Sequence, residues 1–392
     1  MLEYLLTQKM IKIYHLSIKS LKQAVYQKDL LIVEKSKSVK ERSEIDRLKE
    51  PVLSNSIIVS RMNTPALVGA NAYIRFAPAN TYLPDRLWQV KPKNSKVDMC
   101  WLGYWFGSRH ARYTMSANAT GTSGSMKNIT KPDVMSMKVA IPPLPEQQKI
   151  AKILSTWDKA IATTEKLIAT SQQQKKALMQ QLLTGKKRLV NPETGKVFEG
   201  DWEEVKLNQL ALITMGSSPK SEAYNEIGEG LPLLQGNADI KSRRSAPRIY
   251  TSQITKECSI GDILLSVRAP VGSVAKSDHK ACIGRGIASI KAKKSNSQEY
   301  LYQWLLAFEP KWERLSQGST FEAVNSNDIK TLHILAPTLI EQQKIASVLT
   351  AADKEIELLQ AKLAHLKDEK KALMQQLLTG KRRVKVDENV AA

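Results

Sequence analysis

The octapeptide "KSRRSAPR", Lys241–Arg248, sets Arg243, Arg244 and Arg248 beside Lys241. Guanidinium groups at that density suit phosphate oxygens, and one Arg fork can also read guanine. Arg268 and Arg285 follow in the same half of the chain, and Arg61 and Arg86 stand in the other. Gln235, Asn237 and Asn63 carry amides whose donor and acceptor match adenine. These ten residues are the candidate contacts to nucleic acid. The rival readings are a solvated basic loop or pairing with local carboxylates for the arginines. For Gln235 and Asn237 the rival is the capping of a turn.

No pattern for bond-breaking chemistry accompanies them. The chain has neither a GxxxxGK[ST] loop nor a GxGxxG turn. Its five histidines, at 15, 110, 279, 333 and 365, have no evident nucleophile or paired carboxylate beside them. Cys100, Cys258 and Cys282 form no CxxC pair and have no His at zinc-ligand spacing. They read as reduced residues, mostly of the core, in a cytoplasmic protein. There is no signal-peptide pattern and no run of about eighteen apolar residues, so no membrane span is expected. An enzyme with an unrecognised site stays open, but nothing favours it over a binding module.

The 392 residues carry 59 Lys and Arg against 38 Asp and Glu, a formal charge of +21. An excess of that size favours a polyanionic partner, nucleic acid above all, and two readers related by a pseudo-twofold would suit double-stranded DNA. A merely soluble or ribosome-associated basic protein is the plainer alternative.

What positions the candidate residues is a duplication. "KKALMQQLLTGK" occurs at Lys175–Lys186 and again at Lys370–Lys381. From Glu146 to Lys186, 23 of 41 positions match the residue 195 further on, without a gap. That period is too long for a solenoid and points to two copies of a domain, each followed by the same helix. Pro142, Pro143 and Pro145 lead into the first helix and Pro337 into the second, where a missing N–H costs nothing. Gly185 and Gly380 are the expected left-handed stops.

Each helix carries a heptad seam. In the second it runs Ile345, Leu349, Ala352, Ile356, Leu359, Leu363, Leu366, Lys370, Leu373 and Leu377. In the first it runs Ile150, Leu154, Trp157, Ile161, Thr164, Ile168, Ser171, Lys175, Leu178 and Leu182. Steps of four and three predict that the two helices pair with each other as an antiparallel coiled coil. The alternative is that each packs separately on its own domain. About forty residues of helix span roughly 60 Å, enough to act as a spacer.

Outside the helices the echo is fainter. "VKLNQL" at Val205–Leu210 matches "IKIYHL" at Ile11–Leu16, and "DILLSVRAPVGSVA" at Asp262–Ala275 matches "SIIVSRMNTPALVGANA" at Ser56–Ala72. Both of the latter read as a β-prone strand entering a turn, with Ser60, Arg61 and Asn63, or Ser266 and Arg268, exposed at its end. The expected fold is α+β, with two mixed α/β recognition domains related by a pseudo-twofold and separated by the paired helices. The expected boundaries are a first domain 1–144, a helix 145–185, a linker 186–201, a second domain 202–338, a helix 339–381 and a disordered tail 382–392.

This layout resembles the specificity subunit of type I restriction-modification systems. The resemblance covers nearly the whole chain and is carried by "PLPEQQKIAKIL" with "QLLTGKKRL", by "EQQKIASVL" with "QLLTGKRR", and by "SRMNTPALVG", "LPDRLWQ" and "GDILLSVRAPVG". It implies two target recognition domains, each reading half of a bipartite DNA site, with the helices setting the gap. It implies docking of two methyltransferase (modification) subunits, which bind S-adenosylmethionine, and of restriction subunits, which use ATP and Mg. This chain itself would be non-catalytic and would bind none of those cofactors. The first domain departs from the pattern: where the second has "MGSSPKSEAYNEIGEGLPLLQGNADI", it has a Lys-rich stretch, and it reads as shortened or divergent. A stand-alone DNA-binding regulator without enzyme partners is the alternative function.

Overall fold

The computed structural model describes residues 18–21, 26–27, 30–31, 36–39, 41–123, 125–317 and 323–386. The expected echo at Ile11–Leu16 and the end of the tail, from 387, lie outside the described residues. The chain divides into two compact units, one of residues 1–164 with 362–392 and one of residues 165–361. Each unit therefore holds one α/β domain and a part of each long helix.

In the first unit, the strands Asn71–Ile74, Ser56–Ser60 and Leu87–Val90 form an antiparallel sheet with Ser56–Ser60 in the centre. Successive strand residues face opposite sides. Ile57 and Val59 accordingly pack with Met99, Trp105, Phe106 and Met115, while Ile58 packs with Val52, Ile74 and Leu83. The helices Met99–Gly107 and Arg109–Asn118 supply the first layer. Asp98 and Ser108 cap them, accepting from Trp101 N at 2.7 Å and Ala111 N at 3.3 Å.

The second unit repeats this plan on a larger scale. Its six-stranded sheet runs Ala211–Met215, Ile287–Ala292, Ile263–Ser266, Val274–Lys276, Arg244–Ser245 and Ile240–Lys241. Ile263, Leu265 and Val267 face the helix Gln298–Gln317 through Tyr300, Leu301 and Leu305, and Leu264 faces Ala275, Ala281 and Ile283. A five-stranded sheet, Tyr224–Asn225, Ile249–Thr251, Leu231–Leu234, Ala281–Ile283 and Glu257–Cys258, covers that second side.

The faint echo in sequence is a real correspondence of backbone. Ser60 N donates to Ala70 O and Gly69 N to Ser60 O, at 2.8 and 2.7 Å. Ser266 N donates to Ser273 O and Gly272 N to Ser266 O, at 2.9 and 2.8 Å. Both turns need a glycine at positive φ, +71° at Gly69 and +91° at Gly272. The expected exposure of these strand ends is corrected for Ser60, Ser266 and Asn63, all of which are buried. The chain doubles back there, so the polar groups bond inward. Asn63 Nδ2 donates to Ser60 Oγ at 3.2 Å, and Ser266 Oγ donates to Pro270 O at 2.8 Å.

The long helices run Leu144–Leu182 and Leu339–Leu377. All twenty expected seam positions are buried or half-buried, and none is exposed. Gly185 and Gly380 take φ of +69° and +72°, and the chain closes alike behind them, with Lys187 N on Gln181 O and Arg382 N on Gln376 O, each at 3.1 Å. Within each unit the pairing is antiparallel, as the heptads predict. In the first, Asp158 meets Lys370 and Glu146 meets Arg383; in the second, Asp353 meets Lys175 and Glu341 meets Arg188. These partners are the same residues displaced by 195. Lys175 and Lys370 are the charged residues in otherwise apolar or small seams, and each is neutralised by an Asp of the other helix.

Candidate nucleic-acid interface

Each domain is fixed to the helices by a copied set of polar contacts. Gln147 Oε1 accepts from Asp98 N at 2.8 Å, and Gln342 Oε1 accepts from Ser297 N at 2.9 Å. Their Nε2 atoms donate to Pro142 O and Pro337 O at 2.8 and 2.9 Å. Both glutamines are fully buried, so satisfying both ends of the amide matters. Beside them Glu146 takes the Arg383 guanidinium through Nε at 2.8 Å and Nη2 at 2.6 Å. Glu341 takes Arg188 through Nε at 2.6 Å and Nη2 at 2.8 Å, and Trp202 Nε1 at 3.2 Å. The Arg383 hydrogen bonds hold the Glu146 carboxyl below the usual glutamate range. Trp101 and Tyr300, third in their helices, are both completely buried behind these contacts. Sequence reasoning missed this role; the signal was the identical "EQQKIA" opening of the two copies.

The arginines of Lys241–Arg248 do different things. Arg243 sits at φ +63° and forks onto both carboxylate oxygens of Glu309 while donating to Val274 O at 3.1 Å. Burial alone would lower its pKa, but Glu309, with Tyr302 and Asp353, holds the guanidinium above its ordinary value. Glu309 also accepts from Val274 N at 2.7 Å, so the pair ties the hairpin to the helix Gln298–Gln317. Arg244 donates to Asp278 at 2.8 Å. Arg248 donates through Nε alone, to Asp239 Oδ1 at 2.9 Å.

Asp239 is a buried hub. Its other oxygen accepts from Gln235 N at 2.8 Å and Gly236 N at 3.3 Å. Gln235 O in turn accepts from Gly286 N at 3.1 Å, and Arg285 N donates to Ser218 Oγ at 3.1 Å. The fold thus gathers Gln235, Asn237, Arg248 and Arg285 into one place. The side chains of Gln235, Asn237 and Arg285 have no hydrogen-bond partner among the described residues. Arg268 is exposed at the end of the central strand, bridged through its backbone to Ala323.

In the first unit Arg61 and Arg86 lie side by side, Arg61 N donating to Arg86 O at 3.0 Å. Arg86 is exposed, whereas Arg61 is half-buried with its Nε unpartnered. Asn63 is inside, accepting from Thr64 N at 2.9 Å.

Among the described residues no His, Cys, Asp or Glu cluster suits a metal, and no helix is long and apolar enough to cross a membrane. Burial, with Asp98 nearby, pushes the Cys100 thiol up to about 11. A cleft of about 760 Å³ in the second unit, between Arg243 and the long helices, has its Lys175, Arg243 and Lys276 already paired with acids.

Comparison with known proteins agrees with this anatomy. A family described as the type I restriction modification DNA specificity domain matches residues 18–171 and 199–368. A putative type I restriction enzyme MjaX specificity subunit of Methanocaldococcus jannaschii is 34% identical over 357 residues, covering 88% of this chain and 83% of that one. The MjaVIII specificity subunit of the same organism is 26% identical over 355 residues, covering 85% and 82%. A solved chain from work on complex assembly and conformational transition of the type I R-M system aligns at TM-score 0.57 and 27% identity, covering 84% and 83%. The S subunit of a type I system from M. genitalium shares the fold at TM-score 0.60 and 15% identity, over 92% and 88%.

Proposed function

This chain belongs to the type I restriction modification DNA specificity family, and from that membership we propose that it is the subunit that reads a bipartite DNA target for a methyltransferase. Each recognition domain takes one half-site, and the paired helices set the number of unread base pairs between. Modification subunits dock on this chain and bring S-adenosylmethionine; restriction subunits, where they join, bring ATP and Mg. The chain itself supplies no catalytic group and works in the cytoplasm.

The observation that carries this reading is the duplicated attachment. Glu146–Arg383 and Glu341–Arg188, with Asp158–Lys370 and Asp353–Lys175, root two domains identically while the exposed residues of those domains differ. One scaffold with two unlike readers suits a target with two unlike halves. The charge of +21 supplies the phosphate attraction that holds any duplex, and base-edge contacts then select among sequences.

The test is an adenine-methylation map of cells with and without this gene. The expected result is one split motif, two defined half-sites at a fixed gap, present only with the gene. Methylation that ignores sequence, or a single continuous motif, overturns the proposal. Tight specific binding by the isolated chain, with no methylation in any cell that carries the gene, would instead identify a stand-alone regulator.

A further inference from the structure

The seven candidate residues of the second domain do not stand alike. Arg243 spends both terminal nitrogens on Glu309, and Arg244 donates one of its two, Nη1, to Asp278. Arg248 is held differently. Its Nε is fixed by Asp239, and its two Nη atoms have no partner among the described residues, on a side chain 61% exposed. That leaves the fork free to offer two parallel N–H groups, the geometry that matches guanine O6 and N7.

Asp239 holds one side chain and one loop backbone. Its carboxylate is 3% exposed and accepts from Arg248 Nε, Gln235 N and Gly236 N. The same residue's carbonyl accepts from Ala246 N at 2.7 Å, which fixes the strand arm leading to Arg248. Gln235 is pinned on its other side by close backbone approach. A Cβ at Gly286 would lie 2.3 Å from Gln235 O, and one at Gly284 would lie 3.2 Å from Gln235 Cα. Arg285, between those glycines, is thereby displayed beside Gln235.

We propose that Gln235, Arg248 and Arg285 are the base-reading set of the second domain, and that Asp239 is the positioning residue that orients Arg248 and the backbone carrying Gln235. This rests on the preceding reading, that the second domain takes one half-site. Asp239 touches no base. It acts by holding one guanidinium and one loop backbone in register, so that a Gln amide and an Arg fork present fixed donors to adjacent base pairs. Lacking that carboxylate, Arg248 can still contact phosphate but no longer selects a base.

The experiment uses the full chain in complex with the modification subunit of its own cell, methylating duplexes randomised at each half-site in turn. Arg248→Lys keeps the charge and loses the fork, and Asp239→Asn sets an NH2 against one of the N–H groups it should accept. Each is expected to reduce discrimination by about tenfold or more at one or two adjacent base pairs of a single half-site. The other half-site keeps its full preference and is the internal control for folding and docking. The double variant is expected to lose no more than the worse single variant, because both remove one arrangement. Arg285→Ala, an exposed truncation, is expected to relax a neighbouring pair in the same half-site.

If Asp239→Asn does not fold, Arg248→Lys and Arg285→Ala decide the matter alone. Unchanged base preference in both of those variants, with at most a uniform loss of rate or affinity, overturns the proposal and leaves the split-target reading standing. Failure of the wild-type complex to show any split preference overturns the reading beneath it.

Discussion

Glu146 in the first unit and Glu341 in the second do the same work 195 residues apart, yet the surfaces they support are unlike. In the second unit a buried aspartate, Asp239, holds Arg248 and the Gln235 backbone, and the side chains of Gln235, Asn237 and Arg285 have no hydrogen-bond partner among the described residues. In the first, Arg86 is exposed, Arg61 is half-buried, and Asn63 is turned inward. Packing and buried polar contacts constrain the root of each domain, because an unsatisfied buried group costs free energy wherever it falls. Nothing comparable constrains an exposed rim, so two copies of one domain keep the root and vary the rim.

The comparison breaks first at the shared core. Leu154→Ala and Leu349→Ala remove fully buried side chains at matching seam positions. Each is expected to cost about 3 kcal/mol, read by denaturant unfolding. A large inequality between the two would show that the roots are not equivalent.

Next comes an inequality that the structure does predict. Among the described residues, Glu341→Ala removes the only carboxylate from Arg188, which is 21% exposed and keeps just the carbonyls of Gly200 and Glu199, and strands the Trp202 N–H; it is expected to cost about 3 kcal/mol. Glu146→Ala strands Arg383, which is 66% exposed and can turn to water, so its cost is expected to be clearly smaller. Hydrogen exchange of the helix Gln298–Gln317 against Met99–Gly107 would localise each loss. Equal effects would sink this account of the asymmetry.

Asp158→Ala and Asp353→Ala follow, each expected to cost about 1–2 kcal/mol, since the acids are 40% and 33% exposed and solvent moderates the pairing. Each leaves a largely buried lysine at a seam position, so loosening should appear as faster exchange along both partner helices.

The smallest expected effect is on pH. Because Arg383 lowers the folded-state pKa of Glu146, this carboxylate's contribution is complete above the ordinary glutamate range. It is lost as pH falls through the lowered value. Glu146→Gln should therefore flatten the acid limb of the first unit's stability curve, measured by melting at a series of pH values. An unchanged acid limb would contradict the Arg383 contact.

Much of this molecule was legible from residue order. A seam of steps of four and three needs only local periodicity, and Gly185 and Gly380 stop helices because a left-handed residue without a Cβ carries no strain. The duplicated "EQQKIA" marked the two attachment points without saying what they attach. Asn63 and Ser266 were misread as exposed because a strand end points outward or inward according to how the following turn closes, and glycines six residues further on decide that.

What the sequence determined by itself was the repeat, the helices, their antiparallel register and the charge, all properties of spacing and composition. What only the tertiary structure decided was which cations are spent and which are presented. Glu309 reaches Arg243 across 66 residues and Asp239 holds Arg248 by one nitrogen across nine. Such partners meet through sheet order and helix packing, and a linear pattern of Arg, Gln and Asn carries no record of the acid that will stand opposite each one.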